Sequence, residues 1–341
     1  MSSFTPAFGL QNPHIQTLLP RFVRRAPLFT PITQRITTPD DDFLDLAWTA
    51  QPEPSNSTEP LMILFHGLEG SFHSPYANGL LHAAKQQGWL AVMMHFRGCS
   101  EELNKQPRGY HSGEIEDARF FITWLRQQFP YRPFVAVGVS LGGNVLVNYL
   151  AHYGDKSELV AAQAISPPLD LASCSERIQQ GFSKVYQQYL LSSMKRTMAK
   201  RIDHHPDKMP LSQQALDEIK TVWQFDNLIT APLHGFLNAD DYYQRCSGIN
   251  QLEKITTPLR IIHAKDDPFM TEAVIPQQTL PNNIEYDLLE KGGHVGFVGG
   301  TLFKPQFWLE HTVPQWFAKQ LQTSQVKQPQ PQPITLHEVA S

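Results

Sequence analysis

Cysteine is scarce: Cys99, Cys174 and Cys246 are odd in number, far apart and in neither a CxxC nor a zinc-type spacing. That excludes a disulfide framework and a cysteine-held metal, and it matches the usage expected of free thiols in a reducing cytoplasm. Long apolar runs are missing as well. The strongest, WLAVMMHF from Trp89 to Phe96, falls far short of the ~20 residues that cross a bilayer, so no transmembrane segment is expected. There is no excess of positive charge: 28 Lys and Arg against 32 Asp and Glu, dispersed along the chain, leave a net charge of −4, which argues against nucleic acid as a partner. The amino terminus lacks the basic start and continuous apolar stretch of a signal peptide, and Pro6 and Pro13 interrupt it, so a cytoplasmic location is expected. The short cluster RFVRR, Arg21 to Arg25, reads as a solvated face, with peripheral lipid contact as the lesser reading.

What is present is an ordinary globular composition, 41% hydrophobic and 18% charged over 341 residues, long enough for two domains or for one large α/β domain with an insertion. Three apolar runs have strand length, LMILF (61–65), LAVMMHF (90–96) and FVAVGV (134–139), and LRIIHA (259–264) and IEYDLL (284–289) read as the last strands of the same sheet. Such continuous runs suit strands buried on both faces of a sheet. Between them YANGLLHAAKQQG, EIEDARFFITWLRQQF and NVLVNYLAHYG carry helical spacing, and the alternation favours parallel βαβ units. Residues 167–248 change character, being rich in Gln, Lys, Ser, His and aromatics at helical spacing. They read as a helical cap inserted between a first core segment, 1–166, and a second, 249–321. Alternating Gln and Pro make 322–341 a flexible tail.

The sharpest local signal is Gly138-Val139-Ser140-Leu141-Gly142-Gly143, a G-x-S-x-G pattern between a strand and a helix. A tight strand-to-helix turn presents the serine Oγ above the sheet, and side chains at the flanking glycines would collide. A hydroxyl is a poor nucleophile at neutral pH, so a base must take its proton and a carboxylate must orient that base. His294, in the glycine-flanked loop KGGHVGF after the last strand, is the candidate base. The acid is expected after LRIIHA, where Asp266 and Asp267 precede Pro268. Neighbours in an extended segment face opposite ways, so one of them reaches His294, and spacing does not say which. An oxyanion hole needs backbone N–H groups aimed at the developing charge. Leu141 follows the serine and supplies one; Leu68, in the His66-Gly67-Leu68-Glu69-Gly70 turn after LMILF, is the candidate for the other. Adjacent His204 and His205 lack metal-ligand spacing.

Together HGLEG, HFRGCS, GVSLGGN, HAKDDPF and GGHVGF, with NPHIQT near the start, resemble the YheT-like branch of the α/β-hydrolase superfamily, from Phe8 to about Leu321. The resemblance implies an α/β-hydrolase fold with a mostly parallel sheet flanked by helices, and it makes Asp267 the acid. It also implies relatedness to medium-chain esterases and phospholipid-acting hydrolases. The expected activity is serine-dependent hydrolysis of short- to medium-chain acyl esters, needing neither metal nor organic cofactor. The same residues would also serve a thioesterase or an acyltransferase, and a non-catalytic module of this fold is the reading from another class. Arg97 and Cys99 of HFRGCS sit at a strand end where ligands bind; pairing of Arg97 with Glu114, Glu116 or Asp117 and an inert Cys99 are the preferred readings. Phe182, Tyr186, Tyr189 and Trp223 are assigned chiefly to the cap's own core.

Overall fold

The computed structural model describes residues 4–53, 56–301 and 303–327. Its centre is an eight-stranded sheet in the order β1-β2-β4-β3-β5-β6-β7-β8. The strands are β1 (Ile32–Thr37), β2 (Phe43–Trp48), β3 (Leu61–Phe65), β4 (Leu90–Met94), β5 (Phe134–Val139), β6 (Ala161–Ile165), β7 (Leu259–Ala264) and β8 (Ile284–Leu289). β1 and β2 are antiparallel, β2 meets β4 antiparallel, and the remaining pairs are parallel. A separate two-stranded ribbon joins β9 (Val298–Thr301) to β10 (Lys304–Phe307).

The five expected segments are strands, four of them buried throughout and β8 a partly exposed edge. On β3, Leu61, Ile63 and Phe65 enter one core while Met62 and Leu64 enter the other. The first core is closed by α3 (Glu116–Gln128) and α4 (Leu141–Tyr153), the second by α2 (Pro75–Gln86) and α11 (Trp308–Lys327). A strand covered on both faces has no polar side to display, so periodicity vanishes and only length remains. α11 runs six residues past Leu321, where the tail was expected to begin, because no proline interrupts the chain between Pro314 and Pro329. The rest of that expected tail, 328–341, lies outside the described residues.

Between β6 and β7 the chain forms α5 (Leu171–Arg177), α6 (Ser183–His204), α7 (Gln213–Glu218), α8 (Val222–Phe225), α9 (Ala231–Leu233) and α10 (Ala239–Cys246). This helical stretch has its own apolar cluster, to which α6 contributes Leu191, Met194, Met198 and Ile202, spaced as one helical face. The four aromatics assigned to this core do not form it. Tyr186 and Tyr189 line a cavity instead, while Phe182 and Trp223 stand exposed. They lie off the packed stripe of α6, or, for Trp223, on the outer side of the short α8.

Arg97, beyond the end of β4, ties the antiparallel edge to α3. Its guanidinium donates to Asp117 (2.7 Å from both Nε and Nη2), to Asp40 (2.8 Å) and to Asp42 (2.9 Å). Of the three acids expected for it, only Asp117 holds it bidentately; Glu114 binds Arg108 and Glu116 lies beside Arg108. Arg97, Asp42 and Asp117 are all at most 5% exposed. Removing one member of a buried ion cluster strands the others. Arg97→Ala is therefore expected to lower the unfolding free energy by ~3–5 kcal/mol in a urea titration, whereas Arg35→Ala, whose pairs are partly exposed, costs less than ~1 kcal/mol. Equal midpoints for the two variants would contradict this.

Candidate active site

Ser140 sits in the turn from β5 to α4 at φ 53°, ψ −122°, a conformation an L-residue adopts only when its surroundings impose it. A Cβ on Gly138 would lie 2.3 Å from Gly142 O, and one on Gly142 would lie 2.4 Å from Phe65 O and His66 O. Backbone therefore meets backbone here, as the motif predicts. Ser140 N–H donates to Ile165 O on β6 (2.8 Å), and Ser140 O accepts from Gly143 N–H (2.8 Å), which locks the turn.

The other two candidates arrive from the ends of β7 and β8. His294 Nε2 lies 3.0 Å from Ser140 Oγ, and its Nδ1 lies 2.8 Å from Asp267 Oδ2. Asp267 is 4% exposed, and its other oxygen accepts from Phe269 N–H (2.8 Å). Asp266 faces away, accepting from Gly293 N–H (3.0 Å), and burial raises its pKa above the usual value. Of the two aspartates, then, one meets the imidazole and its neighbour holds the backbone of the same loop. The imidazole stacks on Phe269, with ring centroids 4.1 Å apart.

α1 (Pro13–Val23), which contains the NPHIQT segment, braces this loop. Asn12 caps it by accepting from His14 and Ile15 N–H. Thr17 Oγ1 accepts from His294 N–H (2.9 Å), and the fully buried Gln16 bridges Leu10 O and both polar atoms of the Val298 backbone. Gly293 and Gly296 permit the approach: a Cβ on either would come within 2.5 Å of a carbonyl oxygen of α1.

In the HGLEG turn the N–H groups on either side of Leu68 are held. Gly67 N–H donates to Tyr76 Oη (2.8 Å), Glu69 N–H to Tyr110 Oη (2.7 Å) and Gly70 N–H to Gly67 O (2.9 Å). His66 is fully buried; its Nε2 accepts from Phe96 N–H (3.0 Å), so Nδ1 carries the proton and donates to Gly67 O (2.7 Å). Burial pushes its pKa down to about 3, and the ring stays neutral. Because C=O and N–H of one trans peptide point in opposite directions, fixing Gly67 O fixes Leu68 N–H. Among the described residues neither Leu68 N–H nor Leu141 N–H has an acceptor. The sequence singles out Leu68 and Leu141 but not Tyr76, Tyr110, Thr17 or Phe269; of these Thr17 and Phe269 carried a signal, through NPHIQT and HAKDDPF.

Ser140, His294 and Leu68 line a cavity of about 600 Å³ with the helices between β6 and β7, a size that suits a small ligand. Its walls are mostly apolar, with Ile178, Met194, Phe225, Ile229 and Met270 among them. The buried Asp226 also lines it, accepting from Thr230 and Tyr243 hydroxyls (2.7 Å each). Burial raises the thiol pKa of Cys99, which disfavours the reactive thiolate. His111, Glu114 and His234 bring ligand atoms within 4.8 Å of one another. Glu114 there already accepts from Arg108 (2.8 Å) and from Glu116 and Asp117 N–H, and His111 Nδ1 accepts from Gly113 N–H (3.2 Å). His204 and His205 join no such cluster among the described residues.

The sheet order, the helices between β6 and β7 and these strand-end residues match a hydrolase of the esterase and lipase type, the class for which its relatives are named. The chain belongs to the α/β-hydrolase fold family, whose pattern matches residues 60–301. YheT of Escherichia coli (strain K12), an esterase by provisional name, is 48% identical over 322 residues, 94% of each chain, which bears out the resemblance to that branch. The monoacylglycerol lipase of Saccharomyces cerevisiae is 32% identical over 268 residues, 76% of this chain and 58% of its own. Among solved structures the Pyrococcus furiosus esterase Pf2001 superposes with a TM-score of 0.53 over 95% of this chain and 96% of its own, at 16% identity, a likeness of fold.

Two expectations follow from this geometry. Asp267→Asn should lower kcat by up to ~10⁴-fold, as loss of the residue that orients the base does elsewhere, while Asp266→Asn, which keeps an acceptor for Gly293 N–H, should cost far less; steady-state kinetics on one ester compares them, and the reverse order would sink the assignment. Burial raises the Asp226 pKa from 3.8 to about 6. A carboxyl whose folded pKa is raised favours folding below its unfolded value and loses that contribution as pH rises through the folded one. Asp226→Asn should therefore gain stability relative to the parent between pH of about 4 and about 6, read by thermal melts across that window; a constant difference would contradict it.

Proposed function

We propose that this chain is a serine carboxylic-ester hydrolase acting on short- to medium-chain acyl esters. The observation that carries the reading is the unbroken hydrogen-bonded chain Asp267–His294–Ser140 opening on an apolar cavity with two unpaired backbone N–H groups beside it. Ser140 Oγ attacks the acyl carbonyl while His294 Nε2 takes its proton, and Asp267 stabilises the imidazolium. The carbonyl electrons move onto oxygen, where Leu68 and Leu141 N–H donate to the oxyanion. Its collapse expels the alcohol, protonated by His294, and leaves the acyl group on Ser140. Water, deprotonated by the same imidazole, then attacks the ester, and the bond to Ser140 Oγ breaks as His294 returns the proton to that oxygen and the acid departs.

The apolar lining supports an acyl substrate, and the monoacylglycerol lipase among the relatives supports an ester of a fatty acid. The three free thiols support a reducing, cytoplasmic setting, and no helix among the described residues is long and apolar enough to cross a membrane.

The test is incubation with p-nitrophenyl esters of graded chain length and with a fluorophosphonate probe. Turnover and labelling are expected, with turnover falling ~10⁶-fold in Ser140→Ala and labelling lost. Neither turnover nor labelling, in folded protein, would overturn the proposal in favour of a binding module; labelling without hydrolysis of any ester would overturn hydrolysis in favour of acyl transfer.

A further inference from the structure

Two stretches of the chain contain no acid. Residues 1–39 hold four arginines and residues 177–202 hold six basic residues, without one Asp or Glu in either. Arg24 and Arg35 of the first stretch are ion-paired and Arg201 of the second is buried, which leaves Arg21, Arg25 and Lys184, on or next to α1 and the start of α6, without a carboxylate partner among the described residues. The fold lays parts of these stretches side by side, because α1 packs on the first turns of α6: His14 Nδ1 meets Tyr186 Oη at 3.0 Å, the His14 ring lies 4.5 Å from that of Phe182, and Arg21 donates to Tyr189 Oη.

Along this seam large apolar side chains stand in solvent. Phe22, Val23, Phe182, Val185 and Tyr189 are each 45–59% exposed. Scattered exposed hydrophobes need no explanation, but a group on two adjoining helices does. The cavity faced by Ser140 opens at the same place: the four exposed residues of its lining, Arg21, Phe22, Val185 and Tyr189, all belong to α1 and α6.

We propose that the α1–α6 face docks on an anionic lipid surface and sets the mouth of the Ser140 cavity against it. Apolar side chains flanked by basic ones are what binds the headgroup boundary of such a surface, and here they rim the opening through which an acyl chain would pass. The exposed Arg25 and Lys184 have no carboxylate partner among the described residues, whereas Arg24 pairs with Glu310. The RFVRR cluster alone is too short to argue for lipid. The first turns of α6 add the exposed Lys184, Val185 and Tyr189 to it. The docking surface is independent of the reading of Ser140 as nucleophile; only the passage of substrate rests on it.

The test is co-sedimentation of the full chain with vesicles of phosphatidylcholine alone and of phosphatidylcholine mixed with phosphatidylglycerol. Binding to the mixed vesicles is expected, weakening with salt and much poorer on the neutral ones. Arg25→Gln with Lys184→Gln should weaken it about 30-fold, at ~1 kcal/mol for each basic residue. Neither residue lines the cavity, so hydrolysis of a dissolved p-nitrophenyl ester should be unchanged in the double variant. Ser140→Ala should bind vesicles like the parent, which separates docking from catalysis. No binding to anionic vesicles, equal binding to neutral ones, or a double variant that binds like the parent would each overturn the proposal and leave the face to a protein partner.

Discussion

At the turn after β5 backbone packs directly on backbone, and the geometry of the candidate site depends on that contact. Gly138, Gly142 and the carbonyls of Phe65 and His66 lie too close for any Cβ to intervene. The contact brings the end of β3 against the start of α4, so Leu68 and Leu141, which lie 73 positions apart in the sequence, line the same cavity as the serine. It also holds Ser140 at a positive φ, a strain that the paired sheet and the first turn of α4 together sustain. Preorganised donors of this kind need no rearrangement when charge develops, which is where their proposed contribution lies.

A second layer of contacts serves the same end by holding the groups beside Leu68 and His294. Tyr76 and Tyr110 take the N–H groups on either side of Leu68, and the neutral His66 fixes the carbonyl of the intervening peptide. α1 performs the matching task for the histidine loop through Thr17 and Gln16. The amino-terminal helix is thus part of the site's support and, with α6, the rim of its cavity.

Much of this was legible in the sequence because it rests on local patterns. Strands buried on both faces read as short apolar runs, and G-x-S-x-G within a strand–turn–helix setting carries its own steric reason. β1 and β2 were not seen: the edge strand ITQRIT exposes most of its residues, and Asp45 interrupts the buried run FLDLAW. β6, AAQAI, is built of small residues around a buried Gln163 that donates to Val313 O (2.8 Å), and neither its composition nor its period marks a strand. The choice between Asp266 and Asp267 could not be read from spacing, because it depends on which side of an extended segment faces His294. The roles of Tyr76 and Tyr110 are purely tertiary, and the aromatics of α6 were misplaced because their partners, α1 and the cavity, lie far away in sequence.

The central claim is that the acyl group passes through a bond to Ser140. Rapid mixing of the protein with a p-nitrophenyl ester, quenching in acid and mass analysis of the peptide that contains Ser140 tests it most directly. The account predicts a transient mass increase equal to one acyl group on that peptide, formed in step with a burst of p-nitrophenol and absent from Ser140→Ala. Full turnover with no acylated peptide at any time, or acylation of another residue at the rate of the burst, would contradict it.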